Sequence, residues 1–314
     1  MINLSPQVTV ITPVYNGEKY IAETIDSVIS SRRQVNLEYI VINDGSNDRT
    51  SEILDRYRTE IIVVDVKNGG EAAAVNIGIN LAHAPLIMVV SADDPVRDPA
   101  IFEESIIEHA KNPELSATYV DWAVIDEFGR TIKHKKTKDF SVEELVGYTN
   151  CLPGPGAVFS TQKAKEISGR SSAYRFVSDY DFWLRLSTKG PFKRIPKELA
   201  QWRTHQDSTT VSAGGDQMAL ERIRVIEDFL ASYEYPKDLQ RLAISHAYYY
   251  AARLSLDFKI SRPRILLLKS IQSGRRWPKR ANFFVSISIF TYPVPRILLK
   301  LQKKLINLLQ SVGR

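Results

Sequence analysis

The amino-acid sequence predicts an α/β protein with an open, mostly parallel β-sheet and helices on both faces. Two apolar, largely β-branched runs, within residues 38–50 and 86–95, end abruptly in carboxylates. Buried parallel strands show this pattern when their carboxyl ends open into a ligand site. Helical patterns alternate with such runs over the first hundred residues, as the right-handed crossovers of a parallel sheet require.

The predicted elements follow in that alternating order. Strands are expected at residues 7–12, 39–42, 61–64 and 86–90, with helices at 18–31, 50–58 and 70–82 between them. The regularity then decreases. A helix at 99–111, a strand at 117–124, a hairpin turn at 126–130 and a helix at 177–187 are expected next. From about residue 215 the pattern is helical, with helices predicted at 218–233, 237–256, 264–271 and 296–309.

Composition and charge narrow the class of protein. The chain has 314 residues, 44% of them apolar and 25% charged, and Cys151 is the single cysteine. An internal disulfide and a multi-cysteine metal site are therefore excluded. The first six residues lack the basic and apolar regions of a secretory signal, so a cytoplasmic protein is expected.

The positive charge is concentrated at the end of the chain. Residues 258–314 contain 13 Lys and Arg and no Asp or Glu, which leaves 29 basic against 36 acidic residues in 1–257. An acidic body with a basic, leucine-rich tail favours peripheral contact with an anionic membrane over binding to nucleic acid.

The tail also contains a helix-like apolar stripe. Ile297, Leu301, Leu305 and Leu308 fall on one face of the predicted helix at 296–309, with mostly basic residues opposite. Such a helix suits the membrane interface, although packing against the body stays open as an alternative. The apolar run 281–292 is too short to span a bilayer, which needs roughly 20 residues.

Six short segments resemble the family 2 glycosyltransferases of the GT-A fold, and they occur in the family's order between residues 8 and 208. The segments are Thr12-Pro-Val-Tyr-Asn16, Asn43-Asp-Gly-Ser-Asn-Asp48, Asn76-Ile-Gly78, Ser91-Ala-Asp-Asp94, Ser178-Asp-Tyr-Asp-Phe-Trp-Leu-Arg-Leu186 and Trp202-Arg-Thr-His205. The resemblance implies a catalytic domain at 1–214, with a donor-binding half at 1–97 and an acceptor-binding half at 98–214. A helical, basic region at 215–314 would follow.

For donor binding, the resemblance implies a nucleotide diphospho-sugar held by Pro13, Tyr15, Asp44, Ser91 and Asp94. An ionised carboxylate only accepts hydrogen bonds. Because the imide N–H of uracil and thymine is a donor, Asp44 should favour UDP- or dTDP-linked sugars; guanine also has a ring N–H and is not excluded. The alternative is that Asp44 caps the turn into the next helix.

For the cofactor, the resemblance implies Mg²⁺ or Mn²⁺ at Asp93, with His205 near the metal or the diphosphate. Ser91 stands where the family's Asp-x-Asp signature has its first acid, which leaves Asp93 as the principal ligand. Hard cations accept this arrangement because phosphate oxygens and water complete the ligand set. The alternatives are a solvated strand-end turn at Asp93 and a structural role for His205.

For catalysis, the resemblance implies that Asp179 is the base of an inverting transfer to an acceptor hydroxyl. A carboxylate near a helix N-terminus is readily ionised, and Asp181 points elsewhere around that helix. The alternative role for Asp179 is stabilisation of the helix dipole. The acceptor would be a glycan or a lipid-linked oligosaccharide at the inner face of the membrane, as in assembly of surface polysaccharides.

Residues 130–138 contain five Lys or Arg, and two interpretations stay open: a solvated hairpin or contact with a phosphorylated acceptor.

Two other functions of the protein stay open as alternatives. A sugar-phosphate nucleotidyltransferase would need a glycine-rich basic loop after the first strand, which Thr12-Pro-Val-Tyr-Asn16 does not supply. A non-catalytic nucleotide-sugar-binding protein is conceivable because of Ser91.

Overall fold

The computed structural model describes residues 5–205, 215–258 and 263–273. The chain divides into two compact units, Met1–Val142 with Cys151–Ser212 and Glu143–Asn150 with Ala213–Arg314. The boundary expected near residue 214 stays a prediction. The predicted helix at 296–309 and the apolar run 281–292 lie outside the described residues.

Four parallel strands in the order β3-β2-β1-β4 form the first half of the sheet. They are β1 (Val8–Val14), β2 (Leu37–Asp44), β3 (Ile62–Val66) and β4 (Leu86–Val89), and the helices between them are α1 (Ile21–Ser31), α2 (Thr50–Asp55) and α3 (Glu71–Leu81). Val14 lies beside Asn43, and Ile11 lies beside Val89. The carboxyl ends of β1, β2 and β4 therefore meet at one edge, as the sequence predicts.

The second half of the sheet is mixed. Its elements are α4 (Ala100–Lys111), β5 (Ala117–Ile125), β6 (Thr131–Lys135), β7 (Val158–Ser160), α5 (Thr161–Glu166), α6 (Ser178–Ser187) and β8 (Phe192–Arg203). Strand β7 pairs antiparallel with both β4 and β5, β6 pairs antiparallel with β5, and β8 pairs parallel with β5. The mostly parallel sheet and the hairpin turn are confirmed, whereas β7, α5 and β8 are additions to the predicted elements.

Helices cover both faces of the sheet. Val10 of β1 packs in one core with Ile25 of α1 and Ile101 of α4. The next residue, Ile11, points to the other face and meets Gly78 of α3, where a Cβ atom would lie 2.5 Å from Ile11 Cγ2. Glycine at position 78 therefore sets how closely α3 approaches β1.

The second unit is helical in its described part. A π-helical turn (Glu143–Gly147) accompanies α7 (Gly215–Ser232), α8 (Lys237–Phe258) and α9 (Pro263–Gln272). Tyr249 and Ala252 of α8 pack against Leu267 of α9. None of the helices in the described part of the chain combines the length and the apolar composition that a membrane span requires.

Candidate active site

The loops that follow β1 and β2 are joined by hydrogen bonds between backbone and short polar side chains. The Asn16 backbone, at φ 53°, donates its N–H to Ser46 Oγ at 3.0 Å, and Asn47 N–H donates to Asn16 Oδ1 at 2.9 Å. Gly17 N–H donates to Thr50 Oγ1 at 2.9 Å. The two loops thus form one rigid rim above the carboxyl ends of the strands.

Asp48 strengthens this rim. Its carboxylate accepts hydrogen bonds from the backbone N–H groups of Glu18 at 3.0 Å and Thr50 at 2.9 Å, and from the Thr50 hydroxyl at 2.5 Å. Burial by itself disfavours the charged form, but these hydrogen bonds outweigh it and lower the pKa of Asp48.

Asp44 lies buried at the end of β2. Its Oδ1 accepts the N–H of Gly69 at 2.8 Å and its Oδ2 accepts that of Gly70 at 2.9 Å. Gly70 has φ 86°, a left-handed conformation that favours glycine, and α3 begins at the next residue. Asp44 thus fixes the turn that precedes α3, and each of its oxygens still has a second lone pair.

The other residues expected to bind the donor nucleotide are placed at the same edge. Pro13 is half-buried within β1, and Tyr15, immediately after β1, exposes 52% of its surface. Ser91 is exposed and accepts the N–H of Asp94 at 3.1 Å through its backbone carbonyl, which closes a turn after β4. Their part in donor binding stays a prediction.

The structure brings Asp93 and His205 together across 112 residues of sequence. His205 Nε2 lies 2.9 Å from Asp93 Oδ2, with the imidazole mostly buried and the carboxylate about a third exposed. The ring of Tyr20 lies 5.1 Å from the His205 ring. A carboxylate oxygen and an imidazole nitrogen therefore converge at the edge where β4 ends.

This pair of donor atoms fits a divalent cation that keeps part of its ligand shell for other groups. Oxygen ligands suit Mg²⁺ and Mn²⁺, and imidazole is also a common ligand of transition metals. Over the described ranges, no group of three or more His, Cys, Asp and Glu side chains could hold a metal ion. Asp93 and His205 would therefore need phosphate oxygens or water as further ligands.

Asp94, next in the chain, locks the turn after β4 to β8. Its Oδ1 accepts the N–H of Arg203 at 2.6 Å. Burial raises the pKa of Asp94 well above its usual range, and the negative charge of Asp93 raises it further. This contact gives Asp94 a structural role; the donor-binding role stays a prediction.

Arg203 is the residue of this region whose role the sequence did not reveal. Its side chain is almost fully buried and pairs with Glu23 of α1, Nη2 to Oε2, at 2.7 Å. Its Nε donates to the carbonyl of Asp93 at 2.9 Å and its Nη1 to the carbonyl of Glu127 at 3.1 Å. The guanidinium also lies 4.7 Å from the centre of the Tyr20 ring. Arg203 thereby holds the Asp93 turn, the β5–β6 hairpin and α1 together.

Asp179 and Asp181 differ sharply in their surroundings. Asp179 is exposed at the start of α6, and its Oδ1 accepts the N–H of Tyr180 at 2.7 Å. Asp181 is buried and its Oδ2 accepts hydrogen bonds from Arg185, at 2.9 Å from Nε and 2.5 Å from Nη2. Of these two carboxylates, only Asp179 is accessible to a substrate.

Asn76 connects α3 to the segment that leads into α6. Its amide forms two hydrogen bonds with the backbone of Arg170, Nδ2 to the carbonyl at 2.7 Å and Oδ1 from the N–H at 2.7 Å. Arg170 also pairs with Glu71, the first residue of α3, at 2.6 Å. The start of α3 is thus held by Asp44 on one side and by this segment on the other.

The family described as "Glycosyl transferase family 2" matches residues 9–182, more than half of the chain. The chain therefore belongs to this family, and it is a glycosyltransferase with a GT-A type fold. The nucleotidyltransferase and non-catalytic alternatives are thereby set aside.

A curated relative fits this assignment. The chain is 28% identical over 220 residues to the hyaluronan synthase of Pasteurella multocida, which is 69% of this chain and 22% of that protein. The chain thus spans about a fifth of that relative.

Two solved structures share the fold. The structure of S. aureus TarS 1–349 in complex with UDP-GlcNAc superposes with a TM-score of 0.66 at 15% identity, covering 89% of this chain and 83% of that one. The mannosyltransferase PcManGT from Pyrobaculum calidifontis, in complex with GDP-Man and Mn²⁺, gives 0.58 at 14% identity, covering 97% and 86%.

Proposed function

We propose that this enzyme transfers a sugar, with inversion, from a nucleotide diphospho-sugar to a hydroxyl of a glycan or lipid-linked oligosaccharide, and that it needs Mg²⁺ or Mn²⁺. The observation that carries the proposal is the approach of His205 Nε2 to within 2.9 Å of Asp93 Oδ2, at the edge of the sheet where Asp44 also lies. A cation held there would lie beside the nucleotide.

The nucleotide is expected to be uridine or thymidine diphosphate. Gly69 and Gly70 occupy one lone pair on each oxygen of Asp44, and the remaining lone pairs suit the imide N–H of these bases. The UDP-GlcNAc complex of TarS supports uridine, while the GDP-Man complex of PcManGT keeps guanosine as a second candidate.

Asp93 and His205 would hold the metal, and Arg203 fixes the backbone of Asp93 while they do so. A bound Mg²⁺ or Mn²⁺ would neutralise the charge that develops on the departing diphosphate. Asp179 accepts the proton of the acceptor hydroxyl as its oxygen attacks the anomeric carbon from the face opposite the diphosphate. Asp181 is buried and its Oδ2 accepts two hydrogen bonds from Arg185, which is the reason to assign this role to Asp179.

A relative supports a class of product. Hyaluronan synthase is named for a polysaccharide, which supports a role in synthesis of cell-surface polysaccharide or glycoconjugate. We place the reaction at the cytoplasmic face of the cell membrane, with the basic region 258–314 as the membrane contact; most of that region lies outside the described residues.

The proposal is tested by thermal shift and by transfer assay. UDP- and dTDP-sugars with Mn²⁺ should raise the melting temperature, because a ligand that binds only the folded state stabilises it; adenosine and cytidine compounds should not. Asp179→Asn should keep this shift but lose transfer by at least about 100-fold. The matched control Asp139→Asn, another exposed carboxylate of the same unit, should keep both. Unchanged transfer in Asp179→Asn would remove the proposed base.

A further inference from the structure

The hairpin formed by β5 and β6 carries lysines that pair with no acidic side chain in the described part of the chain. Arg130 pairs with Asp126 at 2.7 Å, and His134 pairs with Glu198 at 2.6 Å. Three hairpin lysines form no ion pair with a described residue: Lys133, Lys135 and Lys136. Like charges without counter-ions repel one another, so this arrangement suits an anionic ligand.

Two of these lysines share one face of the sheet with an aromatic ring. Lys135 lies opposite Trp122 and Lys133 opposite Val124, and residues two apart on a strand point to the same side. Lys135 Nζ lies 5.9 Å from the centre of the Trp122 ring. Desolvation lowers the pKa of Lys135, and the neighbouring charge of Lys133 lowers it further.

The hairpin adjoins the catalytic edge. Its turn is held by Arg203, whose Nη1 donates to the carbonyl of Glu127 and whose Nε donates to the carbonyl of Asp93. Lys133 is aligned with Val124, and Arg203 with the next residue of β5, Ile125. Strands β6 and β8 lie on either side of β5, so Lys133 and Arg203 are separated by two interstrand distances and one residue along the strand. Their Cα atoms are therefore about 10 Å apart.

We propose that Lys133, Lys135 and Trp122 form a binding site for a phosphate group of an anionic acceptor glycan, a short distance along that glycan from the hydroxyl that reacts. The inference rests on the proposed function, which it extends by naming the acceptor class. Lysine ammonium groups bind phosphate as point charges, and the indole ring offers an apolar surface to a neighbouring sugar.

Exposed apolar side chains also lie on this hairpin. Ile132 is exposed on β6, and Phe128 is exposed at the tip, where the guanidinium of Arg130 lies 5.1 Å from its ring. Surfaces that lie in a membrane interface also combine basic and apolar groups. An anionic lipid surface is therefore the alternative occupant, and the vesicle measurement below separates it from a glycan.

The test compares labelled mannopentaose phosphate with neutral mannopentaose by fluorescence polarisation on the full chain. Lys133→Gln/Lys135→Gln should weaken binding of the phosphorylated probe about fivefold to tenfold and leave the neutral probe unaffected. Lys133→Arg/Lys135→Arg should retain binding. The matched control Lys111→Gln/Lys193→Gln removes two charges from the same unit, Lys193 lying at the other end of the β5–β8 pair, and should behave as the wild type.

Equal affinity of the wild type for both probes, or an equal loss in the control, would overturn the site. Loss of binding to phosphatidylglycerol vesicles with unchanged binding of the phosphorylated probe would also overturn it, because the lysines would then contact lipid. Thermal shift with UDP-sugars and Mn²⁺ should be the same in the wild type and the glutamine variant, which also checks folding. If neither the wild type nor the glutamine variant shows a thermal shift, the proposed function fails. The binding of the two glycan probes still decides whether the lysine site exists.

Discussion

The predicted donor half (1–97) and the predicted acceptor half (98–214) are stabilised by different interactions. In the donor half, backbone N–H groups bond to short polar side chains, as between Gly17 and Thr50 and between Asp44 and Gly69. In the acceptor half, charged side chains such as Arg203 and Arg194 join elements that are far apart in sequence. The loops at the site are thus held by short polar side chains in the first half and by two arginine side chains in the second.

This difference shows where each half tolerates change. Turns held by hydrogen bonds to a few short polar side chains, such as those of Asp44, Ser46 and Thr50, keep one conformation as long as those residues remain. Ionic contacts between distant elements depend on partners that must all be present.

The largest expected effect is at the meeting point of the halves. Asp93→Asn should lower kcat by about 100- to 1,000-fold, because the donor half then contributes no carboxylate beside His205. Removing divalent cations with a chelator should cause a similar loss in the wild type and little further loss in the variant. Transfer rates with and without added Mn²⁺ measure both. Full activity after chelation would contradict the assignment of a metal site.

Arg203→Met should destabilise the fold by about 3 kcal/mol, because charge-assisted hydrogen bonds to Glu23, Asp93 and Glu127 disappear together. Arg203→Lys should recover only part of this, since lysine lacks the planar fork. Urea unfolding measures the free energy. The control Arg49→Met removes an exposed pair with Glu18 and should change it by less than about 1 kcal/mol. Equal effects of the two methionine variants would show that burial of Arg203 is unimportant.

Asp44→Ala should cost about 2 kcal/mol of unfolding free energy, since the N–H groups of Gly69 and Gly70 lose their acceptor. Asp44→Asn should cost less, because its amide oxygen still accepts one of them. Both variants should weaken the thermal shift with UDP-sugars. A stability unchanged in Asp44→Ala would mean that the turn before α3 holds without the carboxylate.

A smaller effect is expected from Asp121 in the acceptor half. Burial opposes its ionisation, but hydrogen bonds from Arg194 and Thr137 outweigh burial and lower the pKa of Asp121. The stability that this pair contributes is present above the unfolded pKa of about 3.9 and is lost as pH falls through the lower folded value. Asp121→Asn should therefore be less stable than the wild type at pH 7 by about 1 kcal/mol or more, and the difference should shrink below about pH 4. Unfolding curves between pH 3 and 7 measure it, and a constant difference would contradict this account.

The donor half could be predicted from sequence because its signals are local. Strands β1 to β4 are mostly apolar segments, and helices follow β1, β2 and β3 within the expected spacing. The resemblance to family 2 also pointed to Asp93 and His205, which the structure places in contact. The roles of Asp44 and Asp179 in the reaction remain predictions.

Much of the acceptor half could not be predicted, for physical reasons. Strand β8 contains Pro196 and several charged residues, and its register with β5 shifts around Asp121, so it lacks the alternation of a regular strand. Strand β7 has three residues, too few to show a period. The partners of Arg203 lie from 76 to 180 residues away, and no local pattern specifies such contacts.

The close approach of α3 to β1 at Gly78 has a consequence for the position of Asp44. A methyl group at position 78 would collide with the side chain of Ile11, so that either this side chain or α3 would have to shift. A shift of α3 would move the turn at Gly69 and Gly70, because that turn leads directly into the helix. Since the N–H groups of the turn bond to Asp44, a substitution two helical turns away would reposition this carboxylate without changing any residue beside it.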